Sequence, residues 1–484
     1  MVPVLSFDLV LPARGGGALL RSLHQQLRAA VLDGRLTAGC AMPSTRALAQ
    51  ELGVSRNTVV AAYDLLVAEG YVLPRAGAKA VVAAVAARRV AKPLRARGRR
   101  REDEQLDPLW SAPFVRPEPA RDLPERCFRL GIPEHRHFPH DVWRRLTAQS
   151  LRAWSRARFG YGPSEGLPDL RDAIAQHVAF TRAVVCASDD VLVTSGAQQA
   201  FDLIARLLVT PGQTQVAVEE PGYPPLRAAF AAAGARLVPV AVDDDGLCVD
   251  QLPDDVRVVC VTPSHQSPTG VALSMQRRMA LLAFARERSA VVLEDDYDGE
   301  FRFGARPLDA LQTLDRDGRV FYVGTFSKSM FPSLRKGFIV APAWARDTLI
   351  SIKHCADSHC DPVTQSALAA FIRDGHLARH VRHMRPIYAQ RREALQGGLV
   401  RELADWLEVI PSEAGLHLAA RIRQPRHARA IVDAMRRCVP GAQTTADYAM
   451  LPAAPWALTF GYGVIDAEEI GLALRCMRLA LRST

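Results

Sequence analysis

No run of apolar residues in this chain approaches the roughly 20 that a membrane-spanning helix needs, so no membrane partner is expected. The first residues lack a basic stretch followed by an apolar core, so no secretory leader is expected. The nine cysteines follow no regular spacing, and an odd number cannot all pair. That argues against a disulfide-built secreted scaffold and points to a reducing, cytoplasmic setting. Internal repeats are absent, and 32 glycines and 32 prolines in 484 residues are too few for a fibrous or wholly disordered chain. Apolar bulk is plentiful at 49%, enough for a large core. At about 150 residues per domain the length suggests two to four domains. Lysine plus arginine outnumber aspartate plus glutamate by 61 to 51, a net charge of +10. An excess of that sign favours a polyanionic partner or an anionic cofactor, without choosing between them.

The basic excess is uneven. Arg88, Arg89, Lys92, Arg95, Arg97, Arg99, Arg100 and Arg101 run without an intervening acid; Glu102, Asp103 and Glu104 follow, then Pro108, Pro113, Pro117, Pro119 and Pro124. Self-repelling, proline-stiffened sequence is linker composition. It reads as a tether over 84–125, with some electrostatic attraction to phosphates. It divides a small unit, 14–83, from a large one, 126–484. The large unit alternates apolar runs (Val191–Thr194, Val216–Val218, Val256–Val261, Val291–Leu293, Val320–Val323, Phe338–Val340) with helical segments such as Gln198–Leu208 and Met275–Arg288. Continuous Val/Ile/Leu runs between helices predict a mostly parallel sheet covered on both faces, over about 150–345. From about 346 to 484 the pattern predicts a smaller α+β subdomain, with strands at Leu407–Ile410, Leu416–Ala420 and Ala457–Phe460.

In the small unit Leu20, Leu23, Leu27, Ala30 and Val31 mark one helix by their 3.6-residue period. Ser44 caps a second helix that runs to Leu52 and stops at Gly53, and Ser55 caps a third with the apolar stripe Val59, Ala62, Tyr63 and Leu66. Two short helices joined so tightly predict a helix-turn-helix, with Arg56, Asn57 and Thr58 on the turn that meets base edges and phosphates. A three-helix interaction domain with solvated arginines has the same periodicity. Tyr71–Leu73 and Val81–Val82 predict a hairpin tipped by Arg75, Gly77 and Lys79. The segments Pro43-Ser44-Thr45-Arg46-Ala47-Leu48-Ala49, Leu52-Gly53-Val54-Ser55-Arg56-Asn57-Thr58-Val59 and Tyr63-Asp64-Leu65-Leu66-Val67-Ala68-Glu69-Gly70-Tyr71 resemble the winged helix-turn-helix of GntR-type repressors. The resemblance implies DNA contacts from Ser44, Arg46, Ser55, Arg56, Asn57 and Thr58. The wing departs from the common Arg-x-Gly-x-Gly form, since Arg75-Ala76-Gly77-Ala78-Lys79 lacks the second glycine; Arg75 and Lys79 are its candidate contacts.

Four constellations stand in order on the large unit. Ser195-Gly196-Ala197-Gln198 lies where a strand hands over to a helix, a place suited to an anion. Pro263-Ser264-His265-Gln266-Ser267-Pro268-Thr269-Gly270 is a polar loop after a strand. Glu294-Asp295-Asp296-Tyr297-Asp298 puts carboxylates at a buried strand end, where a cation must meet them: a protonated ring nitrogen or a metal ion. Gly324-Thr325-Phe326-Ser327-Lys328, with Arg335 following, gives a lysine flanked by hydroxyls, suited to a Schiff base beside a phosphate. Together with Tyr161-Gly162-Pro163-Ser164-Glu165-Gly166 these resemble fold-type-I aminotransferases over roughly 130–480. The resemblance implies pyridoxal 5'-phosphate (PLP) as cofactor. Lys328 would carry it and Asp295 would pair the ring nitrogen, strand alternation allowing only one of Asp295 and Asp296 to do so. Tyr297 would face the ring oxygen. Ala197, Gln198, Thr325, Ser327 and Arg335 would hold the phosphate, Tyr223 would stack on the ring, and Tyr161 would reach the partner subunit's cofactor. Ser267 occupies the cofactor-side position where an asparagine commonly sits. Ala457 stands where such enzymes carry the arginine that clamps a substrate carboxylate, which puts amino-acid turnover in question.

His354, Cys355, Asp357, His359 and Cys360 lack finger-type metal spacing, and His376, His380 and His383 are surrounded by Arg379, Arg382 and Arg385, so no metal is expected at either. A basic helix surface is the expectation for the histidine triplet. A winged helix fused to an aminotransferase-like unit is similar to the MocR-type branch of GntR regulators. The expected fold is multidomain: an all-α winged helix-turn-helix plus an α/β aminotransferase unit of fold type I with a small α+β C-terminal subdomain. The implied protein is a homodimer that binds operator DNA and senses PLP or a small amine or amino acid, in control of vitamin B6 or amine metabolism. A working aminotransferase with a fused DNA module is the alternative.

Overall fold

The computed structural model describes residue 5 and residues 7–12, 18–75, 79–84, 123–156, 160–304, 309–452 and 456–483. The arginine-rich run 88–101 and the wing-tip residues 76–78 lie outside them. The chain divides into two compact units, Met1–Asp107 and Pro108–Thr484.

In the first unit α1 (Ala18–Leu32), α2 (Thr45–Leu52) and α3 (Arg56–Ala68) precede an antiparallel hairpin of β1 (Val72–Leu73) and β2 (Val81–Val82). The stops and starts follow local chemistry. Ser44 Oγ accepts from the Ala47 amide and Ser55 Oγ from the Thr58 amide, satisfying donors that a helix start leaves open. Gly53, at φ 61°, turns the chain after α2 and bonds back to the carbonyls of Ala49 and Gln50. Leu23, Leu27, Leu48, Val59, Ala62, Leu66, Val72 and Val82 close one core.

The second unit begins with α4 (His140–Trp154) and α5 (Pro168–Arg182). Then come β3 (Val191–Thr194), α6 (Ala197–Leu208), β4 (Gln215–Glu220), α7 (Pro224–Ala232), β5 (Arg236–Asp243), β6 (Gly246–Leu247), β7 (Val258–Val261), α8 (Met275–Glu287), β8 (Val291–Asp296), β9 (Val320–Thr325) and β10 (Gly337–Val340). They make an eight-stranded sheet in the order β3-β10-β9-β8-β7-β4-β5-β6. Its centre is parallel, and β10 runs antiparallel between β3 and β9. Strands β3, β7, β9 and β10 are buried at every residue, as strands covered on both faces must be. The strand β5 was not anticipated: Arg236, Pro239 and Asp243 interrupt its apolar run, which suits its place near the sheet edge.

Helices α9 (Arg346–Asp357), α10 (Pro362–Arg373) and α11 (His376–Leu403) lead to a four-stranded antiparallel sheet. It comprises β11 (Leu407–Val409), β12 (His417–Ile422), β13 (Gln443–Thr444) and β14 (Ala457–Gly461), ordered β11-β12-β14-β13. Helix α13 (Ala467–Arg482) packs against both α11 and α12 (Ala428–Cys438). Cys438 and Cys476 form a disulfide between α12 and α13, a pairing that the irregular cysteine spacing did not announce. Their separation of 38 residues hid a pairing that only the packing of the two helices creates. His380 also departs from expectation. It is buried against Phe138 rather than displayed on a basic surface, and burial pushes its imidazole down to about 4.

Candidate functional site

The parallel strands β3, β4, β7, β8 and β9 all end at one edge of the large sheet, the edge at which open α/β sheets bind ligands. A cavity of about 260 Å³ opens there. Ala197, Gln198, Tyr223, Ser267, Asp295, Tyr297, Thr325, Ser327, Lys328 and Arg335 line it, so residues from five separate stretches of sequence meet in one place. Tyr161 does not join them: it is 91% exposed, with its ring against His359.

Lys328 follows the end of β9. Its Nζ donates to the carbonyl of Gly131 at 2.7 Å, and any Cβ at Gly131 would come within 2.5 Å of that nitrogen. Burial lowers the Lys328 pKa, Arg129 adds to the effect, and Asp298 and Asp295 oppose it. A lysine held toward its neutral form is a better nucleophile.

Alternation along β8 sorts the carboxylates. Asp296 points away from the cavity, to Arg182 Nε at 2.6 Å and the Tyr322 hydroxyl at 2.7 Å. Glu294 accepts the amides of Leu311 and Gln312. Glu294 and Asp296 thus turn to different partners, and Asp298 turns to His265. Asp295 alone faces the cavity, 3% exposed, and its Oδ1 is buried with no hydrogen-bond partner among the described residues. Burial, reinforced by Asp296, raises its pKa well above the ordinary carboxylate value. Such an orphaned acid is costly unless a cation is set against it, and a protonated pyridine nitrogen supplies one.

The opposite end suits a phosphate. The helix α6 starts at Gly196 with no side-chain cap, so its positive end is open to an anion. Gly196 has φ 83°, and a Cβ there would sit 2.8 Å from the Arg335 guanidinium. Arg335 reaches the Ser195 carbonyl at 3.0 Å, and the Thr325 and Ser327 hydroxyls lie 2.9 Å apart. Backbone amides, two hydroxyls and a guanidinium form a donor set for a dianion. The residues present therefore fit PLP at both ends.

Sequence reasoning missed Leu130, Gly131, Phe201, Pro332, His417 and Tyr448, which complete the lining. Gly131, His417 and Tyr448 come from segments far along the chain, and no local pattern marked them. His417 was visible only as the first residues of an expected strand. Its ring lies 4.3 Å from that of His265, whose Nδ1 is 2.9 Å from Asp298 Oδ2, while Tyr297 donates to the His265 carbonyl at 2.9 Å. His265, Asp298 and His417 are the one group among the described residues with metal-like proximity; it lies in neither histidine cluster weighed from sequence. Ala457 is fully buried among Val271, Ile410 and Ala419 and contributes nothing to the cavity wall. In the first unit Ser44, Arg46, Ser55, Arg56, Asn57, Arg75 and Lys79 are exposed and Thr58 is half-buried.

Comparison with known proteins agrees with both units. Residues 19–82 match the family of bacterial regulatory proteins of the gntR type, and residues 125–445 match aminotransferase class I and II. The chain is 40% identical over 425 residues to the probable rhizopine catabolism regulatory protein MocR of Rhizobium meliloti, covering 85% of this chain and 83% of that one. It is 38% identical over 399 residues to the transcriptional regulator TauR of Rhodobacter capsulatus (81% and 82%) and 32% over 409 residues to the pyridoxine biosynthesis regulator PdxR of Corynebacterium glutamicum (84% and 83%). Among solved structures, LysN, the alpha-aminoadipate aminotransferase of Thermus thermophilus, matches with a TM-score of 0.66 and 27% identity over 74% of this chain and 92% of its own. Kynurenine aminotransferase of Pyrococcus horikoshii matches with a TM-score of 0.68 over 75% and 92%, and at 24% identity that likeness speaks for the fold. With a gntR-type DNA-binding unit, a fold-type-I aminotransferase unit and a cavity that fits PLP, the chain belongs to the MocR-type, PLP-dependent transcriptional regulators.

Proposed function

We propose that this regulator uses its aminotransferase-like cavity as a sensor, and that what occupies the cavity sets how the protein binds its operator. The observation that carries the reading is the meeting of Lys328, the orphaned Asp295 and the open start of α6 in one cavity. Lys328 would hold the cofactor's aldehyde and Asp295 would pair its ring nitrogen. Tyr297 and Ser267 would serve the ring oxygen, and Tyr223 would stack on the ring. Ala197, Gln198, Thr325, Ser327 and Arg335 hold the phosphate. PLP supplies an electrophilic carbon and an electron sink; the protein supplies position, a dry wall and a counter-charge. Tyr161, exposed and off the cavity, suits a contact across a homodimer. A dimer also matches paired half-sites in DNA, read by Ser44, Arg46, Ser55, Arg56, Asn57 and Thr58 with Arg75 and Lys79 on the wing.

A ligand shifts the regulator only by binding one of its states better than another. The effector is PLP itself or a small amine or amino acid, and the genes controlled serve vitamin B6 or amine metabolism; the likeness to the pyridoxine biosynthesis regulator PdxR supports the first of these. Borohydride reduction of the PLP-treated full chain, followed by peptide mass spectrometry, tests the assignment. The expected result is one modified lysine, Lys328. Modification spread over surface lysines, unchanged in Lys328→Ala, would refute it.

A further inference from the structure

Of the polar loop 263–270, Ser267 alone reaches the cavity lining. The rest of the loop closes around a buried carboxylate that the cofactor does not touch. Glu219, next to last on β4, is 6% exposed and forms no ion pair among the described residues. Three donors meet it instead. Its Oε1 accepts the Thr262 amide at 3.1 Å, and its Oε2 accepts the Thr262 hydroxyl at 2.6 Å and the Gln266 side-chain amide at 3.2 Å. An ionised carboxylate only accepts, so this donor set matches the charged form. Burial pushes the Glu219 pKa up to about 7, and the same three bonds pull it down. Packing β4 against β7 needs no such charge, and burying one without a cation is costly.

The bonds run in one direction, toward the cofactor residues. The Ser267 amide donates to Thr262 Oγ1 at 3.2 Å. That hydroxyl has a single hydrogen, and it goes on to Glu219. Gln266 Nε2 also donates to the carbonyls of Pro221 at 2.8 Å and Ser267 at 2.9 Å, while its Oε1 accepts the Thr269 amide and hydroxyl. One carboxylate thus gathers the segment carrying Ser267 and the turn that leads from Pro221 to Tyr223, and both Ser267 and Tyr223 line the cavity. Hydrogen bonds that end on a charge are the strong ones, and in a dry interior they stiffen the chain that leads to them. Resting on the PLP-sensor reading above, we propose that Glu219 is a positioning residue of the cofactor site, which sets Ser267 at the ring oxygen and Tyr223 over the ring by way of Thr262 and Gln266.

A donor on the ring oxygen draws electrons from the protonated imine beside it and eases loss of the imine proton. Misplacing Ser267 therefore raises the pH at which the visible band of the PLP-loaded protein titrates. Glu219→Gln keeps the size of the side chain but turns an N–H toward donors, and Thr262→Val removes the relay hydroxyl at nearly constant volume. In the full-length protein each should raise the midpoint by about one pH unit and weaken PLP binding about tenfold, the effect of losing one well-placed hydrogen bond. Thr262→Ser restores the hydroxyl and should restore both values. Glu220→Gln is the control: its carboxylate serves the amides of Met450 and Leu451, so the midpoint should stay in place. An unmoved midpoint in Glu219→Gln and Thr262→Val, even with lowered thermal stability, would overturn the proposal, as would a shift of equal size in Thr262→Ser or Glu220→Gln. Failure of the wild type to load PLP, read by absorbance before any titration, would instead strike the sensor reading itself.

Discussion

Asp295→Asn is the most informative single substitution, because its two expected effects have opposite signs. In the unliganded protein Asp295 is buried and Oδ1 is unpaired among the described residues, so its charged form is destabilised by burial and by Asp296. An acid whose pKa is raised in the folded state contributes stability at low pH, and that contribution is lost as pH rises through the folded value. Asparagine cannot ionise and so escapes the loss. The unliganded variant should match the wild type in thermal unfolding at low pH and exceed it increasingly as pH rises. Cofactor binding should move the other way. A hydrogen bond to a charged partner contributes about 1.5–3 kcal/mol, so PLP affinity should fall roughly 10- to 150-fold. Fluorescence titration with PLP and calorimetric unfolding of the unliganded protein measure the two effects. Unchanged PLP affinity, or an unliganded variant that unfolds earlier at high pH, would refute the assignment of Asp295 as the counter-charge.

Three further outcomes follow from the same geometry. Gly196→Ala places a Cβ 2.8 Å from the Arg335 guanidinium at a φ of 83°, so PLP affinity should drop by an order of magnitude or more in the same fluorescence titration while the first unit still melts normally. Arg56→Ala should weaken operator binding and reduce the slope of log affinity against log salt by about 1 if Arg56 meets a phosphate, or relax sequence preference with the slope intact if it meets a base; gel shifts across a salt series separate these. Glu134 is bonded by Arg136 and Arg391, which overcome its burial and hold it down at about 2. Its contribution is present above the ordinary carboxylate value and lost as pH falls toward 2, so Glu134→Gln should destabilise the large unit by about 3 kcal/mol at neutral pH and flatten its acid limb.

The parts of the fold legible in sequence were those written by neighbours in the chain. Ser44, Gly53 and Ser55 announced their helix ends because a cap is a bond over three or four residues. The buried strands showed as Val-rich runs, and their last residues carried the chemistry: Asp295 on β8 and Lys328 just beyond β9. What could not be read depended on partners supplied by folding. Nothing local distinguished Asp295 from Asp296; Arg182 and Tyr322, packed behind the sheet, decide which carboxylate is satisfied elsewhere. The partner of His417 Nε2 is the carbonyl of Pro268, 149 residues earlier, and the acceptor for Lys328 is Gly131, 197 residues earlier. His380 was misjudged because the arginines beside it in sequence do not share its side of α11, where Phe138 covers it.

The central claim is that a small molecule on Lys328 governs DNA binding, and quantitative footprinting on DNA flanking the protein's own gene tests it. Wild type and Lys328→Ala are titrated with and without PLP at fixed salt. The account predicts a protection pattern or affinity that changes with PLP for the wild type only. An identical PLP response in Lys328→Ala, or none in either protein while the wild type is demonstrably loaded, would contradict it.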